Sequence, residues 1–191
     1  MAHLFAGLLR SACAAGLVAA CGGGADAPAQ PQAAQPCGAG ACVSTVAGSG
    51  EFGTLDGPAA SAQFFMPHAV AVDESMQLHV ADYGSSNQTR LVAGGLVFTL
   101  PEDPIAFPHP ADVATDAAGN RYVADLYGHR ILKVTPQGKT SVLAGTGQSG
   151  DQDGDGASAS FSLPAGLALD ALGALYVADM GNRKIRRITL P

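Results

Sequence analysis

Tryptophan is absent from this 191-residue sequence, aromatic residues make up only 6% of it, and charged residues only 14%. The Lys and Arg residues number 10 against 16 Asp and Glu, so the formal charge is −6 and the sequence pI is near 5.1. That balance leaves no basic field for a phosphate backbone and excludes nucleic acid as a partner. The one cationic cluster, Arg183, Lys184, Arg186 and Arg187, reads as the exposed face of a last strand. No apolar run is long enough to cross a bilayer as a helix. Cysteine is scarce, and the spacing of Cys13, Cys21, Cys37 and Cys42 provides neither a CxxC redox centre nor two pairs for zinc. No G-x-S-x-G elbow occurs, and the Gly-rich turns AGSG (47–50) and AGTG (144–147) precede loops rather than helices, so neither cradles a phosphate. What is abundant is turn chemistry: 25 Gly and 12 Pro in a chain that is 47% hydrophobic. Such a composition favours many short strands over long helices, an all-β fold.

The first twenty residues carry one Arg, at position 10, and then a short Ala-rich apolar run, the pattern of a cleaved secretory signal over 1–20. The run ends Leu17-Val18-Ala19-Ala20-Cys21, which resembles the bacterial lipoprotein signal: an aliphatic residue, two small residues, then cysteine. The resemblance implies cleavage before Cys21 and acylation of its thiol. Acyl chains would hold the protein at a membrane of the bacterial cell envelope, facing the periplasm or exterior, without a transmembrane helix. An ordinary cleaved signal with an unmodified cysteine is the alternative.

Residues 21–42 form a segment of Gly, Ala, Pro and Gln with a single charge, Asp26. It has no large apolar residue before Val43 and reads as a flexible tether. At its end Cys37 and Cys42 bracket a Gly/Ala bend; in an oxidising envelope they can close a small disulfide loop, the alternative being two free thiols.

Residues 43–191 contain three copies of one repeat, at about 43–92, 93–139 and 140–191. With Pro67, Pro110 and Pro164 in register, Phe64, Phe107 and Phe161 lie three residues before, and Asp73, Asp116 and Asp170 six after. A Val-Ala-Asp tripeptide follows in each copy and ends at Asp82, Asp125 or Asp179. The first and third copies also match upstream, from Ser44 and Ser141 through Asp56-Gly57 and Asp153-Gly154; the middle copy is shorter there by eleven residues. Each copy reads as strand, tight turn, strand, with the turn aspartate accepting backbone N–H bonds. A third strand of alternating apolar and charged residues should have one wet face, and a fourth closes the sheet. In the first copy the loop before Arg90 is expected to be three residues longer than that before Arg130.

Phe-x-x-Pro, the turn Asp, Tyr-Val-Ala-Asp and Gly-Asn-x-basic-Ile, best seen at Phe161, Pro164, Gly166, Asp170, Tyr176, Asp179, Gly181, Asn182 and Ile185, resemble the NHL repeat. The resemblance implies antiparallel β-propeller blades and covers 43–191. It makes the repeated Val-Ala-Asp aspartates structural, since each holds the same place in its own blade.

Three blades cannot close a propeller, and an open stack leaves apolar end faces and unpaired edges, so a homodimer completing the ring is one expected partner arrangement. The function expected is a non-catalytic binding or scaffold module, its loop surfaces holding a protein, glycan or small ligand. The alternatives are a metal-dependent lactonase- or lyase-like propeller enzyme and a purely structural half-propeller. Asp151, Asp153 and Asp155 have the spacing of a calcium loop but lack the acidic residue at its last position, where Ser162 stands. No other cofactor is implied. Of His68, His79, His109 and His129, only His68 and His109 lie near the Phe-x-x-Pro corner that faces the channel in propellers, where they could share a metal.

Overall fold

The computed structural model describes residues 40–84, 88–100 and 109–190. The signal segment, residues 21–39 of the tether with Cys21 and Cys37, Phe107 and residues 85–87 lie outside them. Among the described residues there is no α-helix, and three antiparallel sheets carry the fold.

The first blade contains β1 (Gly57–Pro58), β2 (Pro67–Val72), β3 (Leu78–Asp82), β4 (Gln88–Ala93) and β5 (Leu96–Thr99), in the spatial order β1-β5-β4-β3-β2. The second is a four-stranded meander of β6 (Pro110–Thr115), β7 (Arg121–Asp125), β8 (Arg130–Val134) and β9 (Thr140–Ala144). The third has β10 (Pro164–Leu169), β11 (Ala174–Asp179) and, after a single 3-10 turn at Met180–Asn182, β12 (Lys184–Thr189). Sequence repeats and sheets are out of phase by one strand: β5 and β9 belong to the sheet before them but fall within the repeat that follows.

The turn aspartates hold the first two strands of each blade together. Asp73 accepts the N–H groups of Ser75 and Gln77, Asp116 those of Ala118 and Asn120, and Asp170 those of Leu172 and Ala174, at 2.8–3.0 Å. Their other oxygen takes a ring group from the second strand, His79 in blade 1 and Tyr122 in blade 2, each at 2.9 Å. In every blade the inner strand also carries a bulge just after its proline, at His68, Ala111 or Ala165.

Apolar faces meet between neighbouring blades, with β6 packed between β2 and β10. Ala69, Ala71 and Ala81 of blade 1 pack on Val113, Val123, Leu132 and Val134 of blade 2. On its other face blade 2 presents Ala114, Tyr122, Ala124, Ile131 and Ala144 to Phe161, Leu167, Leu175, Val177 and Ile188 of blade 3. The third strand of blade 2 therefore has no wet face, contrary to expectation, because a blade on each side covers it: Ile131, Leu132 and Val134 are all buried.

Two further expectations are corrected by the strand register. Val80 pairs with Arg90, Val177 with Arg186 and Val123 with Leu132, so the counterpart of Arg90 is Arg186, not Arg130. Gln88, not Arg90, matches Arg130, and the first-copy loop is therefore only one residue longer. Arg186 is buried rather than part of an exposed basic face, because its guanidinium turns inward to a carboxylate.

Candidate functional site

The Val-Ala-Asp aspartates Asp82, Asp125 and Asp179 are fully buried at the ends of β3, β7 and β11. A buried carboxylate needs donors, and each has them. Asp82 accepts the N–H groups of Phe65 and Met66 and the Arg90 guanidinium. Asp179 accepts Ser162 N–H, Asn182 Nδ2 and Arg186. Asp125 accepts Gly128 N–H and Arg130 Nε.

Blades 1 and 3 share an arginine clamp that blade 2 lacks. Arg90 reaches Asp82, Asp56 and the carbonyls of Leu55 and Gln63, and lies over the Phe64 ring. Arg186 does the same with Asp179, Asp153 and the carbonyls of Gln152 and Ser160, over Phe161. Each guanidinium ties an insertion loop, 48–66 or 145–163, to the buried aspartate of its own blade. Where the loop is short, in blade 2, leucine occupies the position.

The acidic loop belongs to this clamp. Asp151 bonds Lys184 Nζ at 2.8 Å, Asp153 bonds Arg186, and Asp155 accepts the hydroxyl and N–H of Ser158. The hydrogen bond and charge of Lys184 hold the Asp151 carboxyl below the usual range, and the Ser158 bonds do so for Asp155. All three carboxylates thus have partners within the protein. Among the described residues no three His, Cys, Asp or Glu side chains gather as a metal site.

Histidines divide in the same way. His79 is tied to Asp73 as Tyr122 is to Asp116, and His129 Nδ1 accepts Leu163 N–H across the boundary between blades 2 and 3. His68 and His109 remain, and the structure sets them in a row with two tyrosines. Ring centroids lie 6.4 Å apart for His68 and Tyr83, 5.4 Å for Tyr83 and His109, and 4.7 Å for His109 and Tyr127, the last pair edge to face.

Local structure explains the row. His68 sits on the bulge of β2, which re-aims its side chain, and its Nδ1 lies 2.7 Å from the carbonyl of Ala111, the bulged residue of β6. His109 precedes Pro110, which favours extended backbone, and its carbonyl accepts Leu126 N–H. Tyr83 follows Asp82, and its N–H bonds Met66 O; Tyr127 lies in the β7–β8 turn and is exposed. Burial, then the charge of Tyr127 and a hydrogen bond with it, hold the Tyr83 phenol above its usual range. His109 Nδ1 is buried with no hydrogen-bond partner. In blade 3 the matching positions around Pro164 and after Asp179 are Leu163, Ala165, Met180 and Gly181, so the row is particular to blades 1 and 2. Sequence reading singled out His68 and His109 but missed Tyr83 and Tyr127, although both follow the repeated aspartate within two residues.

No family model matches the chain. It is 39% identical to NHL repeat-containing protein 2 of Gallus gallus over 93 residues, 48% of this chain and 12% of that protein. The chain is thus similar to NHL repeat-containing proteins, and its sheets to propeller blades. Another relative is Protein SUPPRESSOR OF QUENCHING 1, chloroplastic, of Arabidopsis thaliana, 36% identical over 133 residues, 63% of this chain and 12% of that protein. The chain thus spans 12% of the length of each of these two curated relatives. Among solved structures, an auxiliary nutrient binding protein from Bacteroides ovatus superposes on this chain with a TM-score of 0.51 at 20% identity, covering 62% of this chain and 36% of that one, a likeness of fold.

Cys42 is disulfide-bonded, and Cys37, the partner expected for it, lies outside the described residues.

Proposed function

We propose that the chain is a non-catalytic binding module of the bacterial cell envelope, held to a membrane by a lipid on Cys21 and the 21–42 tether. Its ligand surface is the row His68, Tyr83, His109 and Tyr127. The observation that carries this reading is the difference between the copies. Turn aspartates, buried aspartates and arginine clamps recur and serve the blades, whereas the imidazole–phenol row has no counterpart in blade 3. Flat rings with polar edges suit a binding surface, because they offer large contact area at low conformational cost together with donors and acceptors at the rim. A glycan or an exposed protein loop, each with apolar ring or side-chain faces and peripheral hydroxyls or amides, has the matching chemistry.

The test is to pass solubilised envelope polysaccharide and protein fractions over the immobilised chain, wild type beside Tyr83→Ala/Tyr127→Ala. Loss of at least about tenfold in retained ligand, with the melting temperature kept, is expected from removing two aromatic anchors. Equal retention by the variant would refute the assignment.

A further inference from the structure

Blades 1 and 3 carry the same insertion loop but present different chemistry on it. Phe52 bridges to Phe64 as Ser149 does to Phe161, and the next amide closes the same bond, Gly53 N–H to Phe64 O and Gly150 N–H to Phe161 O. On that shared backbone blade 3 sets the hydroxyls of Ser149 and Ser162 3.0 Å apart. Blade 1 has phenyl rings at the same two positions, Phe52 and Phe65, with centroids 6.0 Å apart. The loop therefore folds without these rings, and the arginine clamp does not use them. Phe52 is 79% exposed. Its exposure does not depend on what adjoins blade 1, because Ser149 is exposed as well, although its loop lies against blade 2.

The phenyl pair continues the imidazole–phenol row. Phe65 N–H bonds the carboxylate of Asp82, the residue before Tyr83, and the Phe65 ring lies so close over Gly84, the residue after it, that a Cβ there would enter the ring. Tyr83 N–H in turn bonds Met66 O at 3.0 Å. The rings thus run from Phe52 through Phe65 to Tyr83, His109 and Tyr127 along one end of the two blades. At the tyrosine and histidine end they have polar edges. At the phenylalanine end they have none, which suits an apolar side chain and gives a hydroxylated sugar nothing to bond at the rim. The adjoining charge is acidic. Glu51 precedes Phe52, is exposed and enters no ion pair among the described residues, and Gln148 stands at its place in blade 3. Residues 44–66 contain no Lys or Arg, and their other acid, Asp56, is held by Arg90.

We propose that the partner is an extended peptide segment in which a large apolar side chain stands beside a Lys or Arg. The apolar side chain lies on Phe52 and Phe65, the cation faces Glu51, and the segment continues over Tyr83 and His109, whose ring edges meet its amides. This rests on the row being the ligand surface, and it decides which of the two ligand classes that surface takes. Two apolar anchors supply most of the affinity, because buried aromatic contacts dominate such interfaces. The carboxylate contributes orientation and partner choice more than strength, and its effect is screened by salt.

A displayed library of random ten-residue peptides, selected on the full chain carrying Cys21→Ser to remove acylation, reads this chemistry directly. The enriched peptides should share one large apolar residue next to Lys or Arg. For a peptide so selected, Phe52→Ser/Phe65→Ser, which gives blade 1 the residues of blade 3, should weaken binding about tenfold or more with the melting temperature kept. Glu51→Gln should weaken it about threefold at low salt and leave it unchanged in about 0.5 M salt. Leu172→Ser, on the β10–β11 turn, should bind as wild type does. Should the double serine variant not fold, Phe52→Ser alone decides, since that ring is largely in solvent. Enrichment without the apolar–basic pair, full binding by the serine variants, a Glu51→Gln chain as tight as wild type at low salt, or retention of envelope polysaccharide in place of peptide would overturn the proposal. Tyr83→Ala/Tyr127→Ala separates this from the reading it rests on. Peptide binding lost there but kept in the serine variant refutes the phenylalanine subsite alone, whereas the reverse pattern refutes the row as the ligand surface.

Discussion

Replacing Arg186 by leucine tests whether the clamp, rather than surface charge, is what this arginine supplies. The wild-type guanidinium bonds two carboxylates and two backbone carbonyls and is 9% exposed. Removing one partner of a buried ion pair costs about 3–5 kcal/mol, chiefly through the charge left behind. Asp179 would keep Ser162 N–H and Asn182 Nδ2, which puts the loss near the lower end, about 3 kcal/mol. For a domain of this size that is a fall of roughly 6–12 °C in melting temperature. Leucine itself fits the strand, since Leu132 fills the matching position of blade 2 and is fully buried there. Arg186→Lys should recover only part of the loss, because one ammonium cannot span the four acceptors. Calorimetry measures the shift, and hydrogen exchange over 150–162 should quicken in the leucine variant as the loop is released. A shift below about 2 °C with unchanged exchange would show that the loop and Asp179 are held by something else.

The pH dependence follows from the turn aspartates. Burial alone would raise Asp73 and Asp116, but the ring and backbone donors outweigh it and hold both below the usual carboxylate range; at Asp170 the Ala174 N–H leads the same lowering. Groups with depressed folded values contribute stability above the unfolded value and lose it as pH falls through the folded one, so the melting temperature should stay level from pH 7 to 5 and drop below about pH 4. A level profile down to pH 2.5 would contradict the turn assignment. Added calcium should leave the melting temperature nearly unchanged, because Lys184, Arg186 and Ser158 already engage the 151–155 carboxylates; a rise of several degrees would show that the loop binds calcium. Intact mass of the envelope-expressed protein should begin at Cys21 and include an acyl increment, and a mass without it would remove the anchor.

Much of the blade was legible because its local chemistry repeats. Proline starts the inner strand, an aspartate closes the first turn, and the spacing of Val-Ala-Asp sets the second strand whatever the neighbours are. The clamp was not legible from alternation, since in Lys184-Ile185-Arg186-Arg187 a buried arginine and an exposed one look alike. A signal did exist: Asp56-Gly57 and Asp153-Gly154 occur only in the two copies that have arginine opposite the valine of Val-Ala-Asp, and that pairing appears once strand register replaces residue counting. The tyrosines of the candidate site were hidden for the opposite reason, being confined to two copies and brought beside the histidines only by a bulge and the packing of adjacent blades.

One set of rings serves the blades and another faces the proposed ligand, and a titration followed by NMR reads both sets in one experiment. When the retained envelope fraction is added to the chain, ring signals of His68, Tyr83, His109 and Tyr127 should shift first, while those of His79 and Tyr122, held by Asp73 and Asp116, should stay in place. Shifts confined to the second set, or spread evenly over both, would contradict the assignment of the binding surface.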